Sequence, residues 1–255
     1  MALESASAEP AAFELINATG KSDVVLLCDH ASNRIPRQLG NLGISPQQLY
    51  SHIALDLGAA DVARFLSASL DAPLILSNYS RLVIDCNRLP ESNGSILHSN
   101  DGIAIPGNLG LSAADCLQRR QLFFDPYHEA INNLLLERAG HTTCLLSIHS
   151  FTPFLFGADR PWHIGVCYED ESVYASQWLT ALRSQLEVPV GDNQPYSIER
   201  DIDYTLPFHG RRHAIDAVML EIRQDQISHL AGARRWSEII ARAWQQSNHS
   251  VMPDL

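Results

Sequence analysis

Two kinds of segment alternate along the chain. Short, nearly continuous apolar runs occur at Val24 to Leu27, Pro73 to Leu76, Leu82 to Ile84, Thr143 to Ile148, Ile164 to Tyr168 and Ala217 to Ile222, and each reads as a buried strand. Between them lie longer stretches whose apolar residues recur every three or four positions. In Ala59 to Leu70 these are Val62, Phe65, Leu66 and Leu70, one face of a helix. Ser112 caps a predicted helix running to about Ala139, with Leu117, Phe124, Tyr127, Ile131, Leu134 and Leu135 on its apolar face and a kink expected at Pro126. Further helices are predicted from Val173 to about Leu186 and from Ser228 to about Gln246. Ser45-Pro46 is an N-cap and N1 pair that opens a helix through Leu49 toward Ala54. Strands alternating with helices predict an α/β fold, a three-layer α/β/α domain around a mixed, largely parallel sheet.

Residues 1–20 read as an N-terminal tail with a short leading segment, Phe13 to Ile16, followed by a single domain over 21–248 and a C-terminal tail over 249–255. Two stretches lack a period. Leu89 to Leu111 is rich in Pro, Gly, Asn and Ser and reads as a long loop, and Pro189 to His213 shows no clear pattern.

Composition narrows the function classes. A formal charge of −11 argues against a general nucleic-acid binder, which needs a basic face to replace counterions around phosphates. No run approaches the roughly 20 apolar residues of a membrane helix, so no membrane association is expected. The five cysteines are scattered and form no CxxC pair, as buried hydrophobes in a reducing cytosol do. Met1 to Ala12 lacks the basic and apolar regions of a signal peptide. A cytoplasmic protein is the expectation.

The apolar runs end in residues able to do chemistry. His30 follows the first, Asp85, Asn87 and Arg88 follow the third, His149 follows a middle one, and Glu221 lies within the last. Singly, each has a plain reading as a satisfied structural histidine or a surface carboxylate. A parallel sheet, however, gathers its strand ends along one edge, where ligands bind. Two imidazoles and one carboxylate, with a fourth position for water, are the ligand set of a hydrolytic zinc site. His30 and His149 would supply the nitrogens to one zinc ion. Asp56 is the preferred carboxylate and Asp29 the alternative; Asn33 stands three residues after His30, where a HxxE motif has its acid, but an amide is a poor zinc ligand. Glu221 would be the general base. Arg81 and Arg88 suit an anionic substrate, because a guanidinium holds a carboxylate by two parallel hydrogen bonds. Asn87 with Arg88 would form the carboxylate clamp, and Arg81 is alternatively placed to polarise the scissile carbonyl. Ser150, and His209 as a lid group, are further candidate substrate contacts.

Several of these residues sit in longer blocks. His30-Ala-Ser-Asn-Arg-Ile-Pro36, Asp56-Leu-Gly-Ala59, Tyr79-Ser-Arg-Leu-Val-Ile-Asp-Cys-Asn-Arg88, Pro126-Tyr-His128, Ile148-His-Ser-Phe-Thr-Pro153, Arg160-Pro-Trp162, Asp192-Asn-Gln-Pro-Tyr196 and Leu220-Glu-Ile-Arg-Gln-Asp225 together resemble the N-formylglutamate amidohydrolase family, from about Val24 to Ile227. The Tyr79 and His149 blocks are the specific ones. That resemblance implies a zinc-carboxypeptidase-like fold and a zinc-dependent hydrolase cleaving an N-acyl amino acid, a small anionic substrate. Asn87-Arg88 and Glu221-Ile-Arg223 are also similar to carboxypeptidase patterns. The first block departs from the Pro-His-Thr-Gly of formylglutamate deformylases, which leaves the acyl group and the side chain open. A small peptidase or cell-wall peptide amidase on the same site, and a metal-free binding or regulatory module, are the competing readings.

Overall fold

A computed structural model describes residues 9–141, 144–170 and 172–249. Its strands are β1 (Phe13–Ile16), β2 (Val24–Cys28), β3 (Leu74–Ser77), the two-residue pair β4 (Ser99–Asn100) and β5 (Ile103–Ala104), and β6 (Cys144–Phe151). A second short pair, β7 (Phe154–Leu155) and β8 (Ala158–Asp159), precedes β9 (Ile164–Cys167), β10 (Val190–Asp192) and β11 (Ala217–Arg223). The helices are α1 (Pro46–Leu49), α2 (Ala59–Leu70), α3 (Ala113–Arg119), α4 (Asp125–Glu137), α5 (Val173–Gln185), α6 (Thr205–His213) and α7 (Leu230–His249).

Among the described residues, seven strands form one sheet in the order β1-β3-β2-β6-β11-β9-β10. β2 runs parallel to β3 and β6, β6 to β11, and β9 to β10, while β1 and β9 lie antiparallel to β3 and β11. The carboxyl ends of β2, β6 and β11 are therefore adjacent on one edge. Successive side chains of a strand point to opposite faces, and both faces are covered. Val24 and Leu26 enter a cluster with α2, α5 and α7, whereas Val25 and Leu27 enter a second one with Tyr127, Ile131 and Leu134 of α4 and Leu206 of α6. That double coverage is why β2 reads as an unbroken apolar run, and it makes the architecture the expected three-layer α/β/α with a mixed sheet.

Four expectations need correction. Phe13–Ile16, which the pattern places in a tail, is an edge strand paired with β3. The helix opened by Ser45 has its capping box with Gln48 but stops at Leu49. The aperiodic stretch after Pro189 contains β10 and α6; β10 is only three residues long, and α6 carries Pro207 and Gly210 inside it. Leu82 to Ile84 is fully buried but is a turn, not a strand. Its apolar side chains divide between two satellite clusters. Side chains satisfy its carbonyls where a ladder would have done so: Asn108 Nδ2 donates to Leu82 O (2.9 Å) and Arg119 Nη1 to Val83 O (3.0 Å). A buried apolar run of this length looks the same in sequence either way.

The helix from Ser112 is interrupted close to the expected place. A π-helical turn, Arg120–Phe124, separates α3 from α4, and Pro126 lies in the first turn of α4. Thr143, the first residue of the predicted middle strand, residues 1–8 of the predicted N-terminal tail and residues 250–255 of the C-terminal one lie outside the described residues. No helix among the described residues is long and apolar enough to cross a membrane.

Candidate active site at the sheet edge

Each functional side chain is delivered by a different piece of the scaffold. β2 ends at Cys28, so Asp29 and His30 leave the sheet at its carboxyl edge. Asp56 is stitched to that turn by its own backbone N–H, which donates to the His30 carbonyl (3.0 Å). Gly58, at the start of α2, has φ +78°, and a β-carbon there would lie 2.2 Å from the Ile227 carbonyl oxygen; only glycine permits this approach, which fixes where Asp56 sits. His149 of β6 and Glu221 of β11 are register partners on adjacent parallel strands.

His149 Nδ1 lies 2.8 Å and His30 Nδ1 3.4 Å from the same Asp56 oxygen, Oδ2. The rings meet edge to face with centroids 4.9 Å apart. His30, Asp56 and His149 are all buried, and each offers a ligand atom within 4.8 Å of the others. On the far side of each ring stands a carboxylate, Asp85 Oδ1 at 2.7 Å from His30 Nε2 and Asp29 Oδ2 at 3.0 Å from His149 Nε2.

These outer carboxylates are themselves held. Asp29 accepts hydrogen bonds from Tyr127 Oη (3.0 Å), Ser147 Oγ (3.0 Å) and Thr205 Oγ1 (2.7 Å). Asp85 accepts from Arg81 Nη2 (2.7 Å) and the Asn87 backbone N–H (2.9 Å). Burial pushes all three aspartates, 29, 56 and 85, toward the neutral form. For Asp29 and Asp56 the neighbouring histidines, and for Asp85 Arg81 and His30, outweigh it and hold the carboxyls below the usual range. An ionised carboxylate only accepts, so without a cation both nitrogens of each ring donate, Nε2 outward to Asp85 or Asp29 and Nδ1 inward to Asp56; a cation at Asp56 would take the place of the Nδ1 protons. Without a cation, burial lowers the pKa of both histidines, with Arg81 adding to this at His30, yet the surrounding aspartates raise both above the ordinary histidine value, His149 most.

Two imidazole nitrogens and a carboxylate oxygen converging on one point, each imidazole backed by a carboxylate, is a donor set that fits a divalent cation. Glu221 adds to this fit. It is 5% exposed, and its Oε2 is buried with no hydrogen-bond partner. Burial, opposed by the charge of His149 and reinforced by Asp56, pushes its carboxyl up to about 7. Of the candidate third ligands, only Asp56 stands with the two Nδ1 atoms; Asp29 lies behind His149, and Asn33 does not line the cleft.

A cleft of about 410 Å³ opens over this cluster, and Arg81, Asn87, Arg88, Ser150 and Glu221 all line it. Arg88 uses Nη1 for both its bonds, to Asp203 and to the Asn87 carbonyl, leaving Nε and Nη2 without partners among the described residues. Asn87 is committed on both sides of its amide, accepting from the Thr205 N–H (3.1 Å) and donating to Asp203 (3.4 Å). Its oxygen and one of its two Nδ2 hydrogens hold the start of α6. Ser150 Oγ donates to the Leu57 carbonyl and its N–H to Asp56 Oδ2. His209 is a correction: it is fully buried in α6, does not line the cleft, and pairs through Nε2 with His128 Nδ1 at 3.1 Å. His128 Nε2 in turn donates to the Cys86 carbonyl. Burial pushes both imidazoles down, His128 to about 4 and His209 to about 2, so the pair is neutral.

Sequence reasoning singled out none of Tyr127, Ser147, Thr205 or Asp203 as part of the site. Only Tyr127 left a trace, standing beside His128 in the Pro-Tyr-His block; the others are ordinary polar residues until the fold brings them to Asp29 and Arg88.

Comparisons with known proteins bear on the family and the fold. A family model described as N-formylglutamate amidohydrolase matches residues 22–228. A gene product of Agrobacterium tumefaciens of solved structure is 35% identical, with a TM-score of 0.93 over 96% of this chain and 98% of that one. The N-formylglutamate amidohydrolase of Ralstonia eutropha shares the fold at 18% identity and a TM-score of 0.70, over 95% of this chain and 100% of that one. Curated proteins gave no match. With the family model covering most of the sheet and every cluster residue, this chain belongs to the N-formylglutamate amidohydrolase family.

Proposed function

We propose that this protein is a zinc-dependent amidohydrolase cleaving the amide of an N-formyl or other N-acyl amino acid. The observation that carries the reading is the meeting of His30, His149 and Asp56 on one point beside Glu221, in a cleft that Arg81 and Arg88 also line. Family membership supports the reaction class.

His30 Nδ1, His149 Nδ1 and the Asp56 carboxylate would hold the ion. Zinc bound there lowers the pKa of water toward ~7 and polarises a carbonyl oxygen. Glu221 takes the proton of the attacking water on Oε2 and returns it to the departing amide nitrogen; a carboxyl near neutrality suits both tasks. Arg88 binds the substrate carboxylate through Nε and Nη2, with Asp203 and the Asn87 carbonyl fixing its plane. Arg81, held by Asp85 and 3.8 Å from Asp56 Oδ1, faces the cleft where charge develops on the carbonyl oxygen. Asn87 and Ser150 act by positioning, the first through α6 and the second through the Asp56 carboxylate.

The test is a hydrolysis screen of zinc-loaded protein over N-formyl and N-acetyl amino acids, with Glu221→Gln as control. The variant is expected to keep its zinc and to lose kcat by roughly 10²–10⁴. Full activity in that variant would show that the proton is carried elsewhere.

A further inference from the structure

The cleft is poor in uncommitted positive charge. Five carboxyl groups, of Asp56, Asp101, Glu199, Asp203 and Glu221, line it against two guanidinium groups, Arg81 and Arg88. Arg81 is bound to Asp85 and lies beside Asp56. Arg88 retains donors for one carboxylate. His52 faces Asp101 at 3.3 Å. Arg160 is not itself part of the cleft wall; its guanidinium stands over the rings of Phe151 (5.7 Å) and Tyr196 (4.7 Å), which do line it, and donates to the Tyr196 hydroxyl (2.8 Å). Among the described residues, the wall itself gives a second substrate carboxylate no cation beyond Arg81 and Arg88, the nearest other being Arg160 behind Phe151 and Tyr196.

Beside polar residues such as Asn100, Thr152, Tyr196 and Ser197, the wall carries six apolar side chains: Leu97, Phe151, Leu155, Phe156, Ile202 and Met219. Phe156 is the telling residue. β7 and β8 are joined by the two-residue loop Phe156-Gly157, with φ values of 49° and 83°. A loop of this length with both residues in the left-handed region takes Asn, Asp or Gly first, because a bulky side chain there strains the backbone. Phenylalanine occupies the position nonetheless, and it is 83% exposed, so the chain gains almost no burial from it. An aromatic that is costly to the turn and useless to the core, placed on the cleft wall, has its partner outside the chain.

Resting on the hydrolase reading above, we infer that the substrate presents one carboxylate, to Arg88, and an uncharged apolar side chain, to the surface formed by Phe156, Leu155, Leu97 and Ile202. N-acyl derivatives of leucine, methionine or phenylalanine fit this description; those of glutamate and aspartate do not.

The test compares kcat/KM of the zinc-loaded protein for N-formyl-leucine, N-formyl-methionine and N-formyl-phenylalanine with N-formyl-glutamate, N-formyl-aspartate and N-formyl-lysine. The apolar substrates are expected to lead the acidic ones by about a hundredfold or more. Phe156→Asn puts a favoured residue into the turn, so its thermal midpoint should hold or rise, while the ratio of kcat/KM for N-formyl-phenylalanine to that for N-formyl-alanine falls about tenfold. A purely structural role for Phe156 would leave that ratio unchanged. Turnover of the glutamate derivative equal to the apolar ones would overturn the inference and leave the hydrolase reading intact. So would a preference for lysine, which would assign selection to Glu199. No turnover of any of the six would remove the hydrolase reading and this inference together.

Discussion

At the scale of single residues, the site depends on aspartates that touch neither cleft nor substrate. Asp29 collects four donors, from Tyr127, Ser147, Thr205 and His149, and by accepting the His149 Nε2 proton it fixes which nitrogen faces Asp56. Asp85 does the same for His30. Replacing Asp29 with Asn removes the charge while keeping the shape, and zinc affinity should fall roughly 10- to 100-fold, measured by competition with a chelating dye. Unchanged affinity would mean that the carboxylate serves packing alone. The same neighbours set a pH dependence. In the metal-free protein both histidines have raised pKa values, so their ion pairs contribute stability that is fully present below about 6.5 and is lost as pH rises through the raised values. Zinc must displace those protons, so its binding tightens over the same range. Thermal unfolding with and without zinc should therefore show a metal-induced shift that grows as pH rises above about 6.5. A shift of constant size would contradict this.

At the scale of elements, the long segment between β3 and α3 carries Arg81, Asp85, Asn87 and Arg88 with almost no regular structure of its own. It is pinned by Arg119, 1% exposed, which donates to the Val83 and Gly107 carbonyls and to Asn108 Oδ1, with no carboxylate partner among the described residues. Arg119→Met should destabilise the protein by about 2–4 kcal/mol, because buried carbonyls lose their donor, and should raise KM more than it lowers zinc occupancy. Denaturant unfolding and metal analysis of the variant check both; a stability loss within 0.5 kcal/mol, the range of about any neutral surface change, would show that the loop stands by itself. This segment is also where the sequence is least legible. His30, His149 and Glu221 announce themselves because each interrupts or ends an apolar run, and α2, α5 and α7 because their apolar stripes keep a helical period. Leu82 to Ile84 imitates a strand, since burial by loops and burial by a sheet select the same side chains. His209 misleads for the opposite reason: polar and set in a stretch without period, it reads as a loop residue, whereas α6 buries it against His128. Neither error could be removed locally, because the groups that decide, Asn108, Arg119 and His128, lie 26, 36 and 81 residues away along the chain.

At the scale of the whole molecule, the cluster exists only when the sheet is complete. Its members span positions 29 to 221, and they meet because β2, β6 and β11 run parallel side by side with their carboxyl ends together. The helices on one face, α2, α5 and α7, supply the larger core; α4 and α6 on the other bring Tyr127 and Thr205 to Asp29. On the proposed function, a protein of net charge −11 that handles an anionic substrate needs its positive charge concentrated, and within the cleft that would be Arg81, Arg88 and the bound cation. The role of His30, Asp56 and His149 as a single cation's ligands carries the rest of the account. Crystals of the zinc-loaded protein measured on both sides of the zinc absorption edge test it most directly. The expected result is one anomalous peak, about 2.0–2.2 Å from His30 Nδ1, His149 Nδ1 and an Asp56 oxygen. A peak at any other place, or none in protein that hydrolyses the substrate, would contradict it.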